Sequence, residues 1–549
     1  MTVTRPAATL PTATLPATVP APRGGKHRVA QSPAPRFRFR TSRPDLVLCG
    51  ALLTVILTVQ GWNITRFPTF SDDEGTYLAQ AWAVQQGTGL AHYTYWYDHP
   101  PVGWIQLALV TWPVSLLDPG VMTVATMRYT MLLVSGAGAV LLFVLARRLG
   151  LPRWAAGLGM ALFGLSPLAV VLHRGIFLDN IAVLWMLLAF CLAASPSRHL
   201  WHHFGAGLAA AVGVLSKETM LVVLPALLVT MWRHSHRDTR KFAVAGAVAA
   251  CGLTGLGYPL FALLNSELFP GSGHVSLVDG ITYQMSRDGS GFILAEGTDA
   301  HTVFESWLYY DRVLPLAGLA GAVLLLVTVR RSVTARALAG PALAVATLAL
   351  VIMRPSGYLP AMYVIQALPF LALITAGAAA SVTHAVLRRG AGRAGRTSRY
   401  VRATALAALG AAAAVLVVPH WYDGDLTALT TDANASYRAA AAWMRDGVPD
   451  PGRTRVLVDD ALWLDLVHAG YRPGDGAIWF YKADLDPAVA KTLPNGWRDV
   501  DYVVASPTVR RDAVDLPTVE AALQHSTPVV VFGRGEDRIE IRRITGGTR

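Results

Sequence analysis

Residues 46–77 read LVLCGALLTVILTVQGWNITRFPTFSDDEGTY. The first part, 46–64, carries no Asp, Glu, Lys or Arg and is long enough to cross the ~30 Å hydrocarbon core of a bilayer as a helix. The second part places three carboxylates, Asp72, Asp73 and Glu74, just beyond that span. A membrane helix followed at once by an acid cluster predicts a membrane protein whose chemistry sits at one face of the bilayer.

The rest of the chain extends the pattern. Further apolar runs fall at 129–146, 154–172, 180–195, 204–216, 219–232, 242–264, 313–329, 337–353, 358–380 and 403–419. Of 549 residues, 53% are hydrophobic and 15% charged, against about 25% charged in a soluble domain. That composition excludes a soluble globule, a disordered chain and a coiled coil. The run 102–117 contains Trp104 and Trp112 and follows Pro100-Pro101, so it either spans or lies in the interface. Cys49, Cys191 and Cys251 all fall in apolar runs, which leaves no disulfide framework and no CxxC metal site.

Charge decides between the two topologies. If 102–117 does not span and the N-terminus is cytoplasmic, the clusters at Arg147/Arg148/Arg153, Arg198, Arg233–Lys241, Arg330–Arg336 and Arg388–Arg402 all face the cytoplasm. This is what the positive-inside rule requires. The expected architecture is mostly α. Residues 1–44 form a disordered basic cytoplasmic tail. Residues 45–419 form a transmembrane domain of about eleven helices, and 420–549 an extracytoplasmic α/β domain. In that domain 436–446 reads as a helix, and 454–458, 502–505, 528–532 and 538–544 as strands. The cytoplasmic side then holds 25 of the 47 Lys and Arg and 2 of the 35 Asp and Glu. The net charge of +12 therefore records orientation in the cell membrane and gives no support to nucleic-acid binding.

Three constellations come out on the same, outer face. The first joins Asp72-Asp73-Glu74-Gly75-Thr76-Tyr77, on an expected amphipathic interfacial helix, to the aromatic stretch Tyr93–Tyr97 with Asp98-His99-Pro100-Pro101. As bland features these are a solvated loop with belt aromatics. The second is the short turn His173-Arg174-Gly175-Ile176-Phe177-Leu178-Asp179-Asn180, in which Arg174 and Asp179 either pair to cap two helices or serve a site. The third is Ser216-Lys217-Glu218-Thr219, a charged break between two short apolar runs. There Lys217 either snorkels to the surface or neutralises a lipid phosphate. Carboxylates for base work and cations for a phosphate converge on one side. The loop 265–312, with Trp307, Tyr309 and Tyr310, reads as a surface loop with belt aromatics or an acceptor lid. His202, His203, His234 and His236 read as solvated.

In this order the motifs resemble those of the GT-C glycosyltransferases, in the branch of the protein O-mannosyltransferases and the aminoarabinose transferases, over roughly 45–380. The resemblance implies a polyprenyl-phosphate sugar donor and a reaction at the non-cytoplasmic face. It matches Asp73-Glu74 to the family's acidic pair, with Asp73 as catalytic base, and Asp179 to a charged position in an outer turn. On the donor side it implies Lys217 near the phosphate, together with Tyr77, Asp98, His99, Arg128, Tyr358 and Tyr363. Arg174 joins this donor group on charge grounds. Thr76 stands where the aminoarabinose enzymes have an arginine, and His99 where they have a lysine. The first of these argues against lipid A as acceptor.

Such chemistry needs few groups. A polyprenyl phosphate leaves as an anion and needs charge neutralisation more than a proton. The attacking hydroxyl needs one base, and a single in-line displacement inverts the anomeric carbon. Asp72, Glu74 or Asp98 could orient the base or hold a divalent cation. The acceptor could be a glycan, a lipid or a protein, and membrane lipid surrounds the site. The competing class is a multi-pass transporter or lipid-linked sugar carrier, which would place ionisable groups near the bilayer midplane.

Overall fold

The computed structural model describes residues 42–388 and 396–546, so the expected tail 1–44 lies outside the described residues except for Ser42, Arg43 and Pro44. These three start the first helix. The Ser42 side chain accepts from the Asp45 amide, the Asp45 carboxylate accepts from the Ser42 amide, and Pro44 sits in the first turn.

The apolar runs are helical over most of their length. Helices α1 (Arg43–Gly61), α2 (Asp72–Gln85), α3 (Val102–Leu117) and the single turn α4 (Val124–Met127) lead into α5 (Met131–Arg148). Then follow α6 (Arg153–Leu165), α7 (Pro167–Arg174), α8 (Leu178–Ala193), α9 (Leu200–Ser216), α10 (Leu224–His234), α11 (Arg240–Gly255) and α12 (Gly257–Leu264). The remaining helices of this part are α13 (Leu277–Ser286), α14 (Asp299–Tyr310), α15 (Val313–Thr328), α16 (Val333–Ala337), α17 (Ala339–Ile352), α18 (Leu368–Arg388) and α19 (Arg396–Thr430). Among the described residues, five helical stretches are long and apolar enough to cross a membrane, or seven when the bent pairs α6–α7 (57°) and α14–α15 (103°) each count as one. Helices α3, α8, α9 and α17 are apolar but shorter.

Several expectations need correction. The run 358–380 is not one helix: Pro360 opens a 3-10 segment, Ala361–Gln366, and α18 starts only at Leu368. The expected loop 265–312 folds into α13 and α14, and Trp307 is buried with its indole N–H donating to the Ala361 carbonyl. His203 is buried on the inward face of α9 rather than solvated. Helix α19 runs through Pro419 to Thr430, so position 419/420 falls inside a helix.

The C-terminal part is α/β. Helix α20 (Ala435–Asp446) precedes β1 (Val456–Val458), α21 (Asp460–His468), β2 (Ala477–Trp479), α22 (Lys482–Leu485), β3 (Tyr502–Ala505), β4 (Ser526–Phe532) and β5 (Ile539–Ile544). The sheet order is β2-β1-β3-β5-β4, with β2, β1 and β3 parallel and β5 antiparallel to both neighbours. Strands β1 and β2 are buried throughout, as parallel strands covered on both faces must be. Strand β2 escaped the sequence reading because three residues are too few to show a period.

Helix α2 does not float in the interface. It is buried along most of its length, at Glu74, Gly75, Tyr77, Leu78, Ala79, Gln80, Ala81 and Ala83, packed against α3 on one side and α21 on the other. The weakly amphipathic pattern of the sequence reflects a helix with two apolar neighbours. Gly75 permits the second contact, since a Cβ there would lie 2.0 Å from the Asp460 carbonyl oxygen. Gly103 does the same for α3, whose added Cβ would meet the Leu178 side chain at 2.8 Å and the Ser216 carbonyl at 2.9 Å. Helix α3 thus bridges the start of α8 and the end of α9. Substituting Gly75→Ala should push α21 off α2 and cost about 2 kcal/mol, within the usual range for overpacking. The check is a lower unfolding midpoint of the full-length protein together with faster proteolysis after Thr430, and an unchanged midpoint would contradict the contact.

Candidate active site

The α2 N-terminus is held by one buried carboxylate. Glu74 accepts from Arg128 Nε (2.8 Å) and Arg128 Nη2 (2.5 Å), from the Ile176 amide (2.9 Å) and from the Ser71 amide (3.1 Å). Arg128 gives its other N–H groups to the carbonyls of Ile64, Pro68 and Thr69. Arg174 is likewise buried and donates to the carbonyls of Val59, Trp62, Phe67 and Ala428. The structure therefore corrects three expected roles. Glu74 has no lone pair left for catalysis, and Arg128 and Arg174 have spent their Nη donors on protein groups rather than keeping them for a phosphate. Nor does Arg174 pair with Asp179.

Beyond this frame a second group of polar side chains collects. Lys217 ends α9 in extended backbone, and its buried Nζ donates to His99 Nε2 (2.9 Å) and faces the Tyr77 hydroxyl (3.5 Å). The opposite ring nitrogen, His99 Nδ1, lies 3.1 Å from Glu218 Oε2. With Lys217 donating to Nε2, the proton on His99 belongs at Nδ1, directed at Glu218. Among the described residues no carboxylate lies within ion-pair distance of Lys217 Nζ. Instead the fields of Tyr77, Asp179, Glu218 and Asp73 surround it.

Asp179 is buried at the start of α8. Its Oδ1 accepts from Gln366 Nε2 (2.7 Å), and its Oδ2 has no partner among the described residues. The same Gln366 amide reaches the Thr219 hydroxyl, next to Lys217-Glu218. Tyr363 lies one turn earlier in the 3-10 segment, within the fields of Lys217, Glu218 and Asp179. Asp73 is half-buried at the second position of α2 and accepts no hydrogen bond among the described residues. Asp98 is within electrostatic reach of both His99 and Tyr77. Tyr358 is not part of this group: it is partly exposed, with the Arg287 guanidinium 3.6 Å over its ring.

The structure thus brings together Asp73, Tyr77, Asp98, His99, Asp179, Lys217 and Tyr363 and leaves Glu74, Arg128, Arg174 and Tyr358 outside. Sequence reading placed Glu218 in the Ser216–Thr219 break without giving it a role, and it missed Gln366. Gln366 carried a signal, being a lone amide inside an apolar run. Among the described residues no three His, Cys, Asp or Glu side chains are grouped so as to hold a metal ion. With Glu74 fully committed, the trio Asp72, Glu74 and Asp98 does not fit one.

Beside the 3-10 segment lies a wholly apolar groove of about 270 Å³, lined by Ile293, Phe304, Trp307, Leu319, Val364 and Leu371 among others. It opens between α14, α15, α17 and α18.

The fold is that of the GT-C glycosyltransferases. It is shared with ArnT from Cupriavidus metallidurans, solved bound to undecaprenyl phosphate, at 15% identity and a TM-score of 0.56 over 92% of this chain and 99% of that one. It is also shared with the archaeal oligosaccharyltransferase AglB from Archaeoglobus fulgidus, solved with an inhibitory peptide and a dolichol-phosphate, at 13% identity and a TM-score of 0.52 over 91% of this chain and 74% of that one. Residues 98–256 match the family model described as dolichyl-phosphate-mannose-protein mannosyltransferase. No curated protein matches the chain.

The C-terminal α/β part meets α2 through an apolar contact, with Trp82 edge-on to Trp463, and through carboxyl groups. Burial, and after it the charge of Asp459, push Asp72 up to about 8. Burial pushes Asp459 up to about 6 and Asp460 well above the carboxylate range. Asp460 accepts from the hydroxyls of Thr76 and Tyr481. Carboxyls raised in the folded state favour it most where they are protonated, so this contact is tightest below about pH 4. It weakens as pH rises toward the value of about 8 that Asp72 reaches. Asp72→Asn should flatten that dependence and protect the junction at the alkaline end. Proteolysis or unfolding midpoints across this pH window would show it, and an unchanged slope in the variant would refute it.

Proposed function

We propose that the protein is a membrane glycosyltransferase that moves a sugar from a polyprenyl-phosphate donor to a hydroxyl acceptor, with inversion, on the extracytoplasmic face. The observation that carries this is Lys217. A buried ammonium costs several kcal/mol unless an anion meets it, yet its direct partners are an imidazole and a phenol. Asp179, Glu218 and Asp73 act on it only through their fields, and a donor phosphate would supply the direct anionic contact that none of them makes. The adjacent apolar groove has the lining a prenyl chain needs, and the family match and the shared fold point to the same donor class.

In this mechanism Lys217 neutralises the oxygen that leaves with the lipid phosphate. His99 and Glu218 hold the ammonium in place and keep His99 as acceptor toward it. Asp73 takes the proton of the acceptor hydroxyl as it attacks, since it is the α2 carboxylate with no hydrogen bond of its own. Asp179, with one oxygen held by Gln366 and the other open, orients the sugar or the acceptor. One displacement completes the transfer, with the C–O bond to the phosphate breaking as the new glycosidic bond forms. The charge distribution supports eleven spans, a cytoplasmic N-terminus and an outer C-terminal domain.

Asp73→Asn should lower transfer about a hundredfold or more, as loss of a general base does, while the protein still inserts and folds. Glu74→Gln should instead lose folded protein, because it strips a buried arginine of its charge partner. Near-normal transfer by Asp73→Asn would remove the base assignment. Lys217→Ala should weaken binding of the polyprenyl-phosphate sugar and leave acceptor binding unchanged. Equal donor affinity in detergent-solubilised protein would remove Lys217 from the phosphate site. Offering membranes a panel of labelled polyprenyl-phosphate sugars identifies the sugar, and failure of every donor would overturn the function.

A further inference from the structure

Lys482 opens α22, directly after β2, and its side chain is 1% exposed. Its Nζ donates to the Thr94 hydroxyl (2.8 Å) and the Thr94 carbonyl (3.1 Å) and lies 3.5 Å from Asp486 Oδ2. Three rings surround it, Tyr93 at 4.3 Å and Trp96 and Trp479 at 5.2 Å. The Thr94 hydroxyl also bonds Asp486, and the Trp479 amide donates to the Tyr93 hydroxyl. Residues 93–96 of the loop are therefore tied to the end of β2 by a caged cation.

Three residues past Trp96 the same loop carries His99. Its carbonyl accepts from the hydroxyls of Tyr95 (3.1 Å) and Tyr258 (3.2 Å), and its ring holds Lys217. Between the two anchor points lies Asp98, whose field reaches both His99 and Lys482. The strap is too short to absorb slack. A loosened Thr94 would move His99, and with it Lys217.

A buried lysine is a poor choice for stability alone, since an apolar side chain of similar volume serves as well or better. Burial already draws Lys482 down to about 8, against the opposing pull of Asp486, Asp98 and Asp460. What an apolar side chain cannot supply is two directed N–H bonds to Thr94 together with an ion pair to Asp486. We propose that Lys482 of the outer domain is a positioning residue for the membrane-embedded centre. It fixes the 93–99 strap so that His99 presents Lys217 to the donor phosphate. The outer domain thereby becomes a working part of the site. This rests on the transferase function proposed above.

The test uses full-length protein in detergent or nanodiscs, with Lys482→Met, Thr94→Val and the double variant. Methionine keeps the apolar stem inside the ring cage and removes the donors. Hydrogen exchange over 86–98 should speed up about tenfold or more in each single variant, as a locally opened segment does. With the active polyprenyl-phosphate sugar, kcat should fall about tenfold to hundredfold at unchanged acceptor KM. The double variant should be no worse than the poorer single one, because both remove the same contact. Wild-type exchange and kcat in Lys482→Met would overturn the proposal. So would additive losses that track a falling unfolding midpoint, which mark a merely structural lysine. Faster loop exchange in a protein that transfers no sugar from any donor, wild type included, would uphold the strap and overturn the transferase function instead.

Discussion

The Glu74 carboxylate ties the structure together. It is fully buried, accepts four hydrogen bonds, and draws them from three separate stretches: its own helix start, Arg128 before α5, and the Ile176 amide in the turn between α7 and α8. Arg128 then carries the connection on to the loop after α1 through three carbonyls. Arg174, within the field of Arg128, closes the same loop onto α1 and α19. Removing either member of such a buried pair leaves an uncompensated charge, at a cost of about 3–5 kcal/mol. A carboxylate satisfied on all sides cannot serve as a base, and it also fixes its neighbours. Asp73 precedes it on α2, and Asp179 lies three residues beyond Ile176.

Charged residues at this membrane face therefore divide into two sets. One set is spent on holding backbone: Glu74, Arg128 and Arg174. Among the described residues the other remains open: Lys217 without a carboxylate in ion-pair contact, Asp179 with a bare oxygen, and Asp73 without a donor. The division follows from geometry. Arginine has five donors in a planar fork, which suits a ring of carbonyls. Lysine has a single mobile ammonium, which His99 and Tyr77 can aim without neutralising. A phosphate arriving at this site would meet the one kind of cation that has not already been paid for in carbonyls.

This division explains what was legible in the sequence. The helical runs, the acid cluster after the first span and the Ser-Lys-Glu break all stood out, because hydrophobic periodicity and isolated charge are local signals. Whether a given charge serves the frame or the site is not local. Glu74 and Asp73 are adjacent, identical in charge and alike in composition, yet one accepts from Arg128 54 positions away and the other does not. Gln366 joins Asp179 across 187 positions. Strand β2 and Lys482 were illegible for a related reason: a three-residue strand has no period, and a lysine buried in an aromatic cage looks like any surface lysine until Tyr93, Trp96 and Trp479 close over it.

The C-terminal α/β part adds a further constraint. In open parallel sheets the carboxyl ends of the strands form the crevice where ligands usually bind. Here β1 and β2 direct those ends at the membrane part, where Asp459 and Asp460 follow β1 and Lys482 follows β2. Helix α2 and the 93–99 loop occupy the crevice in place of a ligand. The domain's own chemistry is thus turned on its partner, with carboxyls against α2 and an ammonium against Thr94. Both contacts are polar and buried, and they weaken when a proton leaves Asp72 or Lys482. They sit beside an apolar core in which Leu78 and Ala81 of α2 cluster with Ala461 and Leu462, and Trp82 meets Trp463 edge-on. The apolar core binds the two parts, and the directed bonds fix the angle at which α2 and the loop enter the site; the two elements so held carry Asp73 and His99.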